Sequence, residues 1–537
     1  MRLQKSQWKN ALAAAFVLLC LAVSAYYLTA GYGAFLDADM SSELALAQHL
    51  AETGRLISGE WRYSTEVRVL NTQLVFTPLM ALFGHDWHLV RALGCMILLT
   101  LLAASVVFCA RSLGAAWRFA LLFAGLSVLP FSLIYAQMIV IGAYYVPHAV
   151  LTNLLIGLAA GMVRERGRAI RGALLVLLAA VMGASSIRYL LCATLPAAAA
   201  GVWLAVFPKG ETLTRESREI PIAASSLLAA AASATGYVLG TRVLEKLCSW
   251  DGGRYAGSRL MGVTGTNLFE LLDQAMDGLI KLCGYMEGKI LLSVQGLLSV
   301  GALGLMALGV LLLVRAMKDG CSDAPRARFG ALALVMSAGL TLFTFLFVEG
   351  LYLNRYWLPV MTLGAPVMAM CLTRERNDVL RALSAAAFAC VLLGLSAAQM
   401  KNSMAHPEIG TAELSNAQAV RESGIGFGYA TFWNANVMTE LTDGEVEIVA
   451  MNLQSDAQGN GYPGWVSWLE TEENAAENRP DEPVLLLLEQ SEAAQMEAFL
   501  ALSGAQRREL PAPGLEMYVI DSQRAYFDAA EQMSRGE

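Results

Sequence analysis

The stretch ALAAAFVLLCLAVSAYYLTAGYGAFLDADMSSE, residues 11–43, joins a long apolar run to a group of acids. A helix over residues 11–30 is long enough to cross the hydrocarbon core of a bilayer, which takes about 20 apolar residues. Asp37 and Asp39 follow soon after the run ends, and Glu43 lies one helical turn beyond Asp39. The pattern predicts a membrane-spanning helix that leads directly into a short acidic helix.

The rest of the chain repeats this apolar character. Of its 537 residues, 56% are hydrophobic and 15% are charged, whereas soluble domains carry about 25% charged residues. Eleven apolar stretches are predicted to span a membrane, at about 11–30, 89–110, 118–140, 144–163, 172–187, 190–207, 220–240, 289–314, 329–349, 357–373 and 382–400. The composition therefore predicts a polytopic α-helical membrane protein, and no nucleic-acid partner is expected.

Charge divides the chain into two parts. Residues 401–537 hold 23 acids against seven Lys and Arg, whereas residues 1–400 hold 22 acids against 31 Lys and Arg. Such an asymmetry indicates two environments within one chain. We predict a transmembrane domain over 1–400, with large external loops at 31–88 and 241–288, and a soluble acidic α/β domain over 401–537.

The basic residues also predict the orientation. Nineteen Lys and Arg lie in short connections that the predicted spans place on one side, at 1–10, 111–118, 164–171, 208–219, 315–328 and 374–381. Short loops rich in Lys and Arg face the cytoplasm. The N-terminus is therefore expected inside and the C-terminal domain outside a cytoplasmic (inner or plasma) membrane.

Smaller patterns predict elements outside the spans. An apolar stripe over 39–52 ends at Gly54 and a second runs over 268–283, so each predicts an amphipathic helix. The tail reads as alternating helices and strands, in order a helix at 433–441, a turn at Asp443-Gly444, a strand at 445–451, the strand PVLLLLEQ, the helix SEAAQMEAFLAL and the strand EMYVID. No catalytic motif is found in the tail.

The acids after the first span have two interpretations. Asp37 or Asp39 could cap the helix that follows, because a carboxylate satisfies free N–H groups at a helix start. Either could instead act as a general base at the membrane surface, taking the proton of an attacking hydroxyl. A pair of acids two residues apart could also hold a divalent cation. The residues alone leave these alternatives open.

The remainder of the first external loop is rich in aromatic and charged side chains. The segment GEWRYSTEVRVLNTQLVFTPL contains Trp61, Tyr63 and Glu66 among apolar residues, which is typical of a folded loop with polar groups in a cavity. We expect these three residues, with Glu43 and His148, to bind substrate. The alternative is an interfacial aromatic belt with paired charges.

Three arginines are predicted near the outer surface, at Arg68, Arg188 and Arg355. The planar guanidinium makes two parallel hydrogen bonds to phosphate and stays charged when desolvated. External arginines beside spans run against the positive-inside bias, which indicates a functional role. With Tyr356, they outline a phosphate clamp, although a salt bridge to Glu349 or simple snorkelling would also explain them.

Together these features resemble the GT-C class of integral membrane glycosyltransferases. The resemblance covers the architecture of the whole chain, and at motif level it rests on DADMSSE at 37–43 and, less specifically, on NRYWLP at 354–359. It implies a polyprenyl-phosphate-linked sugar donor and a hexosyl or pentosyl transfer with inversion. It also implies that Asp37 or Asp39 is the base and that Arg355 with Tyr356 holds the donor phosphate.

One departure from the class concerns metal. Many members carry a second acid in the next external loop, whereas IGAYYVPH at 141–148 has none. No cofactor is therefore firmly predicted and a metal-free mechanism is favoured, although a divalent cation (Mg or Mn) stays possible as an interpretation. The expected partners are the lipid-linked donor, the bilayer and an acceptor glycan, lipid or protein.

Two other classes of membrane protein also fit the hydropathy. A transporter or lipid flippase should place ionisable residues at mid-membrane, and the predicted spans carry almost none away from their ends. A non-catalytic scaffold that displays the tail domain does not explain the crowded first loop. Cys248 and Cys283 share a predicted external loop, so one disulfide between them is left open.

Overall fold

The computed structural model describes residues 2–207, 219–250, 259–262, 264–320, 324–349, 352–404, 407–466, 468–471 and 481–535. Parts of three predicted connections, at 208–218, 251–258 and 321–323, lie outside these residues. The first 403 residues are mostly helical. In chain order the helices are α1 (Arg2–Ala30), α2 (Ala38–Thr53), α3 (Gln73–Phe83), α4 (Trp87–Leu113), α5 (Trp117–Leu126), α6 (Leu133–Tyr135), α7 (Val146–Ala160), α8 (Arg168–Ser185), α9 (Ile187–Tyr189), α10 (Leu195–Val206), α11 (Glu219–Leu244), α12 (Gly265–Leu282), α13 (Val294–Arg315), α14 (Pro325–Phe347), α15 (Leu358–Arg374) and α16 (Asp378–Ser403).

Ten helical segments among the described residues are long and apolar enough to cross a membrane. They are Gln7–Ala30, Trp87–Leu113, Val146–Val163, Arg168–Ser185, Ile187–Val206, Glu219–Leu244, Val294–Lys318, Pro325–Phe347, Asn354–Arg374 and Asp378–Ser403. The spans that contain α7 and α15 are 72% buried, whereas those of α1, α13 and α16 are 22% buried. Helices α7 and α15 therefore form the centre of the bundle, and the other three lie at its edge.

The predicted span at 118–140 needs a correction. Helix α5 covers only ten residues, Trp117–Leu126, and the chain then leaves the helical path before α6. Pro130 lies in this break, and a proline disfavours the helical conformation of the residue before it. The chain resumes in α6, which continues as a π-helical turn over Ala136–Ile141. The other ten predicted spans correspond to the ten long apolar helices.

Nine short strands among the described residues form two sheets. The strands are β1 (Trp61–Tyr63), β2 (Ser249–Trp250), β3 (Phe427–Thr431), β4 (Glu447–Ser455), β5 (Gly461–Trp465), β6 (Glu470–Thr471), β7 (Val484–Glu489), β8 (Gln506–Arg508) and β9 (Leu515–Ile520). Six of them form a mixed sheet in the order β5-β4-β3-β7-β9-β8, with β3 parallel to β4 and β7. The described residues thus confirm the predicted class, a polytopic helical membrane protein with a C-terminal α/β domain.

Helices cover this six-stranded sheet. They are α17 (Pro407–Glu422), α18 (Phe432–Leu441), α19 (Gln490–Gln495), α20 (Glu497–Leu502) and α21 (Gln523–Arg535). Strand β7 is central, with Leu486 and Leu488 in one core cluster and Leu485 and Leu487 in the other. A strand buried on both faces reads as a continuous apolar run, which explains the sequence PVLLLLEQ. The predicted division of the chain at residue 400 stays a prediction.

The small sheet joins three distant parts of the chain. Strand β1 pairs in parallel with β2 and antiparallel with β6, so Arg62 lies opposite both Ser249 and Glu470. The first loop, the second loop and the C-terminal domain are therefore hydrogen-bonded to one another.

Most of the smaller predicted elements are also found. Helices α2 and α12 correspond to the two predicted amphipathic helices, and α18 to the helix at 433–441. The predicted helix SEAAQMEAFLAL is two short helices that meet at Met496. Cys248 and Cys283 are both free thiols, so no disulfide joins them.

Candidate active site

A polar cavity of about 110 Å³ lies where the first loop, α2, α9 and the start of α15 meet. Its walls carry acids, arginines and aromatic rings in close proximity. The lining includes Asp39, Ser42, Glu43, Trp61, Tyr63, Glu66, Arg68, Asn71, Gln73, Tyr144, Tyr145, Arg188, Arg355, Tyr356, Trp468 and Leu469. Nine of the eleven residues singled out in the sequence therefore line one cavity, and the exceptions are Asp37 and His148.

Asp37 is the N-cap of α2. Its side-chain Oδ1 accepts a hydrogen bond from the backbone N–H of Met40 at 2.8 Å, as the capping interpretation expects. Burial raises the pKa of the Asp37 carboxyl, the Met40 N–H opposes this rise, and the nearby charge of Asp39 adds to it. At the other end, Gly54 ends the helix with φ 65°, a left-handed conformation that glycine adopts without a steric penalty.

Asp39 lies in the first turn of α2 and points to Arg355. The Nη1 atom of Arg355 donates to Asp39 Oδ2 at 3.0 Å and to the Tyr144 hydroxyl at 3.4 Å. Both side chains of this ion pair keep access to the cavity, since Asp39 is 34% and Arg355 28% exposed. The Arg355 Nε is buried without a hydrogen-bond partner among the described residues. The described hydrogen bonds of Arg355 all come from Nη1, and 28% of its side chain is exposed.

The amphipathic helix α12 holds Arg355 in place. Arg355 lies in a 3₁₀ turn over Asn354–Trp357 that precedes α15. In the same segment, Trp357 Nε1 donates to the Ala275 carbonyl oxygen at 3.1 Å, and the Tyr352 hydroxyl donates to the Gln274 carbonyl oxygen at 2.5 Å. These bonds fix the turn against α12, so the position of the guanidinium depends on the second loop.

Glu43 is held by the end of the first loop. Gln73 Nε2 donates to Glu43 Oε2 at 2.9 Å, the Thr72 hydroxyl donates to the same oxygen, and Asn71 Nδ2 approaches it at 3.4 Å. The carboxylate is thus bonded mainly by neutral donors, with Arg68 Nη1 at 4.0 Å from its other oxygen. Glu43 fixes the start of α3 to α2 on one cavity wall.

Glu66 joins two of the three predicted phosphate-binding arginines. Its Oε1 lies 3.3 Å from Arg68 Nε and 3.4 Å from Arg188 Nε, and the Ser186 hydroxyl donates to Oε2 at 2.6 Å. Burial alone would lower the pKa of Arg68, but the carboxylates of Glu66 and Glu43 raise it overall. Arg68 therefore stays charged at every relevant pH.

The first loop is folded rather than a solvated spacer. Leu70 N donates to Ser185 Oγ at 2.8 Å, which ties the loop to the end of α8. The Tyr63 hydroxyl accepts from Ser58 N at 3.0 Å, and burial raises the pKa of Tyr63 to about 12. The Trp61 side chain is 3% exposed and packs with Leu46 and Leu50 of α2.

Two tyrosines contact Arg188. The Arg188 guanidinium lies 5.0 Å from the centre of the Tyr356 ring, and its Nη1 donates to the Tyr145 hydroxyl at 3.3 Å. A guanidinium over an aromatic face is attracted by the ring quadrupole. Arg188 is thus oriented by Glu66, Tyr145 and Tyr356 together.

His148 lies behind the cavity wall. Its ring stacks on Tyr189 at 4.7 Å and lies 5.5 Å from the Tyr145 ring. The side chain is 3% exposed, and neither ring nitrogen has a hydrogen-bond partner among the described residues. The structure therefore separates His148 from the residues that contact the cavity.

The described carboxylates of this cavity are engaged by other side chains rather than grouped as a metal site. No group of three or more His, Cys, Asp and Glu side chains comes together as a metal site in the part of the chain that the structure describes. The cavity carboxylates face arginines or amide and hydroxyl donors instead, as Asp39, Glu43 and Glu66 show.

Several cavity residues were not predicted from the sequence. Tyr144 and Tyr145 lie three and four residues after the π-helical turn ends at Ile141, and Trp468 and Leu469 come from the C-terminal domain. A π-turn often marks a functional site, but hydropathy does not reveal one. A run of two tyrosines before Val146-Pro147 was the available signal for the first pair.

The whole fold can be compared with known structures. The crystal structure of ArnT from Cupriavidus metallidurans bound to undecaprenyl phosphate matches with a TM-score of 0.57 at 11% identity, over 95% of this chain and 98% of that chain. This chain has the GT-C fold. ArnT from the same organism in the apo state matches with a TM-score of 0.54 at 12% identity and the same coverage.

A third structure, the oligosaccharyltransferase of Archaeoglobus fulgidus in the apo form, matches with a TM-score of 0.45 at 11% identity, over 82% of this chain and 64% of that chain. No protein-family model and no curated protein matches the chain. At 11% and 12% identity the likeness to ArnT concerns the fold alone.

Proposed function

We propose that this protein is a membrane glycosyltransferase that moves a sugar from a polyprenyl-phosphate-linked donor to a hydroxyl of an acceptor. The observation that carries the proposal is the Asp39–Arg355 pair on the wall of a polar cavity. Such a transfer needs a base for the acceptor hydroxyl and a cation for the donor phosphate within one cavity. The GT-C fold, which ArnT also has in its complex with undecaprenyl phosphate, supports the same substrate class.

Asp39 is the base in this proposal. The acceptor oxygen attacks the anomeric carbon of the sugar and forms the new glycosidic bond, while its proton passes to the Asp39 carboxylate. Asp39 is placed for this step because it lines the cavity, whereas Asp37 accepts the N–H of Met40 and is absent from the lining. Positioned proton transfer of this kind contributes about a hundredfold to ten-thousandfold in rate.

Arg355 receives the leaving group. The bond between the anomeric carbon and the phosphate oxygen breaks as the new bond forms, and the electron pair leaves with the polyprenyl phosphate. Fixed cationic donors near this oxygen lower the barrier because negative charge builds up there in the transition state. Arg188 and Arg68 add positive charge to the same cavity, and Tyr356 lies against Arg188.

Donor binding also releases the base. In the described structure Asp39 and Arg355 neutralise each other. A donor phosphate that binds Arg355 takes over part of its hydrogen bonding, which frees the carboxylate for the acceptor hydroxyl. A single displacement from the face opposite the phosphate inverts the anomeric configuration. We place the reaction at the outer face of the cytoplasmic membrane, in keeping with the distribution of Lys and Arg.

The test is sugar transfer from labelled polyprenyl-phosphate donors in proteoliposomes. We compare wild type with Asp39→Asn, Asp37→Asn and the control Glu60→Gln. Glu60 pairs with Arg55 on the exposed surface of the same loop, 2.8 Å apart, and does not line the cavity. We expect Asp39→Asn to lose about a hundredfold or more in kcat and the control to match wild type.

Two results would overturn the proposal. The assignment of the base is wrong if Asp39→Asn keeps full activity while Asp37→Asn loses it. The enzyme itself is wrong if folded wild type transfers no sugar from a panel of hexosyl and pentosyl donors to lipid, glycan and peptide acceptors.

A further inference from the structure

Arg91 is a buried arginine near the start of α4, 1% exposed. Its guanidinium donates in three directions. It contacts Glu440 through Nε and through Nη2, the latter at 2.6 Å from Oε2. Its Nη2 also donates to the Met40 carbonyl oxygen at 3.0 Å, and its Nη1 donates to the Ile141 carbonyl oxygen at 3.2 Å.

The two backbone acceptors lie on either side of the candidate active site. Met40 follows Asp39 in the first turn of α2, and its N–H binds Asp37. Ile141 ends the π-helical turn, three residues before Tyr144, whose hydroxyl accepts from Arg355. Arg91 therefore bridges the segment that carries the base and the segment that contacts the phosphate-binding arginine.

The counter-charge of Arg91 comes from the C-terminal domain. Glu440 lies near the end of α18 and is 0% exposed. An arginine buried without a counter-charge is strongly unfavourable. The geometry of two active-site segments thus depends on a carboxylate that belongs to another part of the chain.

Other contacts dock the C-terminal domain independently of Glu440. Asp443 Oδ1 accepts from Trp87 N at 2.8 Å. Strand β6 pairs with β1. The domain can therefore stay in place when the Arg91–Glu440 pair is altered, which separates docking from positioning.

We infer that Glu440 is a positioning residue for the transferase site, acting through Arg91 to fix Asp39 relative to Tyr144 and Arg355. The inference rests on the proposed function. It gives the C-terminal domain a part in catalysis although none of its residues needs to touch the reacting atoms.

The experiment uses the full chain and four variants. Glu440→Gln removes the charge, Glu440→Asp keeps it, and Arg91→Met with Glu440→Leu replaces the pair by apolar side chains. Exchanging a whole buried pair for apolar residues is often neutral for stability, so the double variant should fold. Asp443→Asn serves as the docking control.

We expect Glu440→Gln and the double variant to lower kcat by about tenfold to a hundredfold, as a displacement of about 1 Å in a catalytic group can do. The KM for the donor should change less than kcat. Glu440→Asp should recover part of the rate, and Asp443→Asn should keep the wild-type kcat. The inference is overturned if the folded double variant has the wild-type kcat.

A second readout does not depend on activity. Amide hydrogen exchange in segments 38–42 and 142–146 should be faster in the double variant than in wild type, with exchange in β7 unchanged. Unaltered exchange in both segments would overturn the inference. If wild type transfers no sugar, the proposed function fails, and hydrogen exchange still decides whether Arg91 and Glu440 hold the two segments.

Discussion

Asp39 and Arg355 are 316 residues apart in the chain and lie 3.0 Å apart in the structure, Oδ2 to Nη1. Asp39 lies in the first turn of α2, and Arg355 lies in the 3₁₀ turn that precedes α15. Around them the described cavity walls carry acids and arginines in equal number. A phosphate entering the cavity would therefore compete with a carboxylate for its cation.

This competition predicts a specific effect of Arg355→Lys. Lysine presents a compact point charge in place of a planar fork and cannot make two parallel hydrogen bonds to a phosphate. We expect kcat/KM for the donor to fall about a hundredfold. Free polyprenyl phosphate should inhibit wild type competitively and inhibit the variant much more weakly. Arg55→Lys, in the exposed pair of the same loop, is the matched control, and equal inhibition of all three proteins would contradict the assignment.

The pH dependence of stability tests the environment of Asp37. Its carboxyl faces Asp39, Arg91 and Arg355, and burial raises its pKa above the ordinary value of 3.8. The folded state therefore holds the proton more tightly than the unfolded state. The contribution to stability is complete below pH 3.8 and is lost as the pH rises through the folded pKa.

The Asp37→Asn variant tests this pH dependence of stability. Asparagine keeps an acceptor for the Met40 N–H but does not ionise. The melting temperature of the Asp37→Asn variant, relative to that of wild type, should therefore increase as the pH rises from 4 to about 8. Asp37→Ala loses the cap and should be less stable by about 1 kcal/mol. A constant difference between Asp37→Asn and wild type across the pH range would show that the carboxyl is not perturbed.

Removing Glu66 should destabilise the cavity wall. Glu66 faces both Arg68 and Arg188, and its side chain is 10% exposed. Glu66→Ala leaves two cations without this carboxylate, and we expect a loss of about 3 kcal/mol, the lower end for a broken buried pair. Glu60→Ala, which breaks an exposed pair, should cost less than about 1 kcal/mol. Thermal unfolding in detergent measures both, and equal losses would contradict the buried network.

His148 should tolerate an aromatic replacement. It packs behind the cavity wall against Tyr189, and its ring nitrogens have no partner among the described residues. His148→Phe keeps the stacked ring and removes only unpaired polar atoms, so transfer should stay within about twofold of wild type. A large increase in the KM of either substrate would show that His148 binds substrate, as the sequence predicts.

Local patterns were sufficient for much of the fold. The stripe over 39–52 predicts α2 because its period is that of the helix itself, and the continuous leucines of β7 indicate a strand buried on both faces. The break after α5 was missed because hydropathy measures composition over a window. Pro130 interrupts the helix without changing that composition.

The candidate site was predictable only by residue type. Acids after a first span and arginines on the outer side suggested base and phosphate chemistry, but pairings such as Asp39 with Arg355 follow from tertiary packing. Arg91 lies inside a predicted span, and an arginine there requires a counter-charge. The sequence does not say that the counter-charge is Glu440, because the two are separated by most of the chain.

The Arg91–Glu440 pair also has a consequence for biosynthesis. The two residues are 349 positions apart, and ribosomes add about 5–20 residues per second, so roughly 20 to 70 seconds separate their synthesis. During that interval Arg91 enters the bilayer region as a cation whose counterion has not been made. The nascent bundle must keep water or lipid phosphate beside it until the last domain folds. A chain arrested before Glu440 would leave the Arg91 guanidinium in the helical bundle without this counterion.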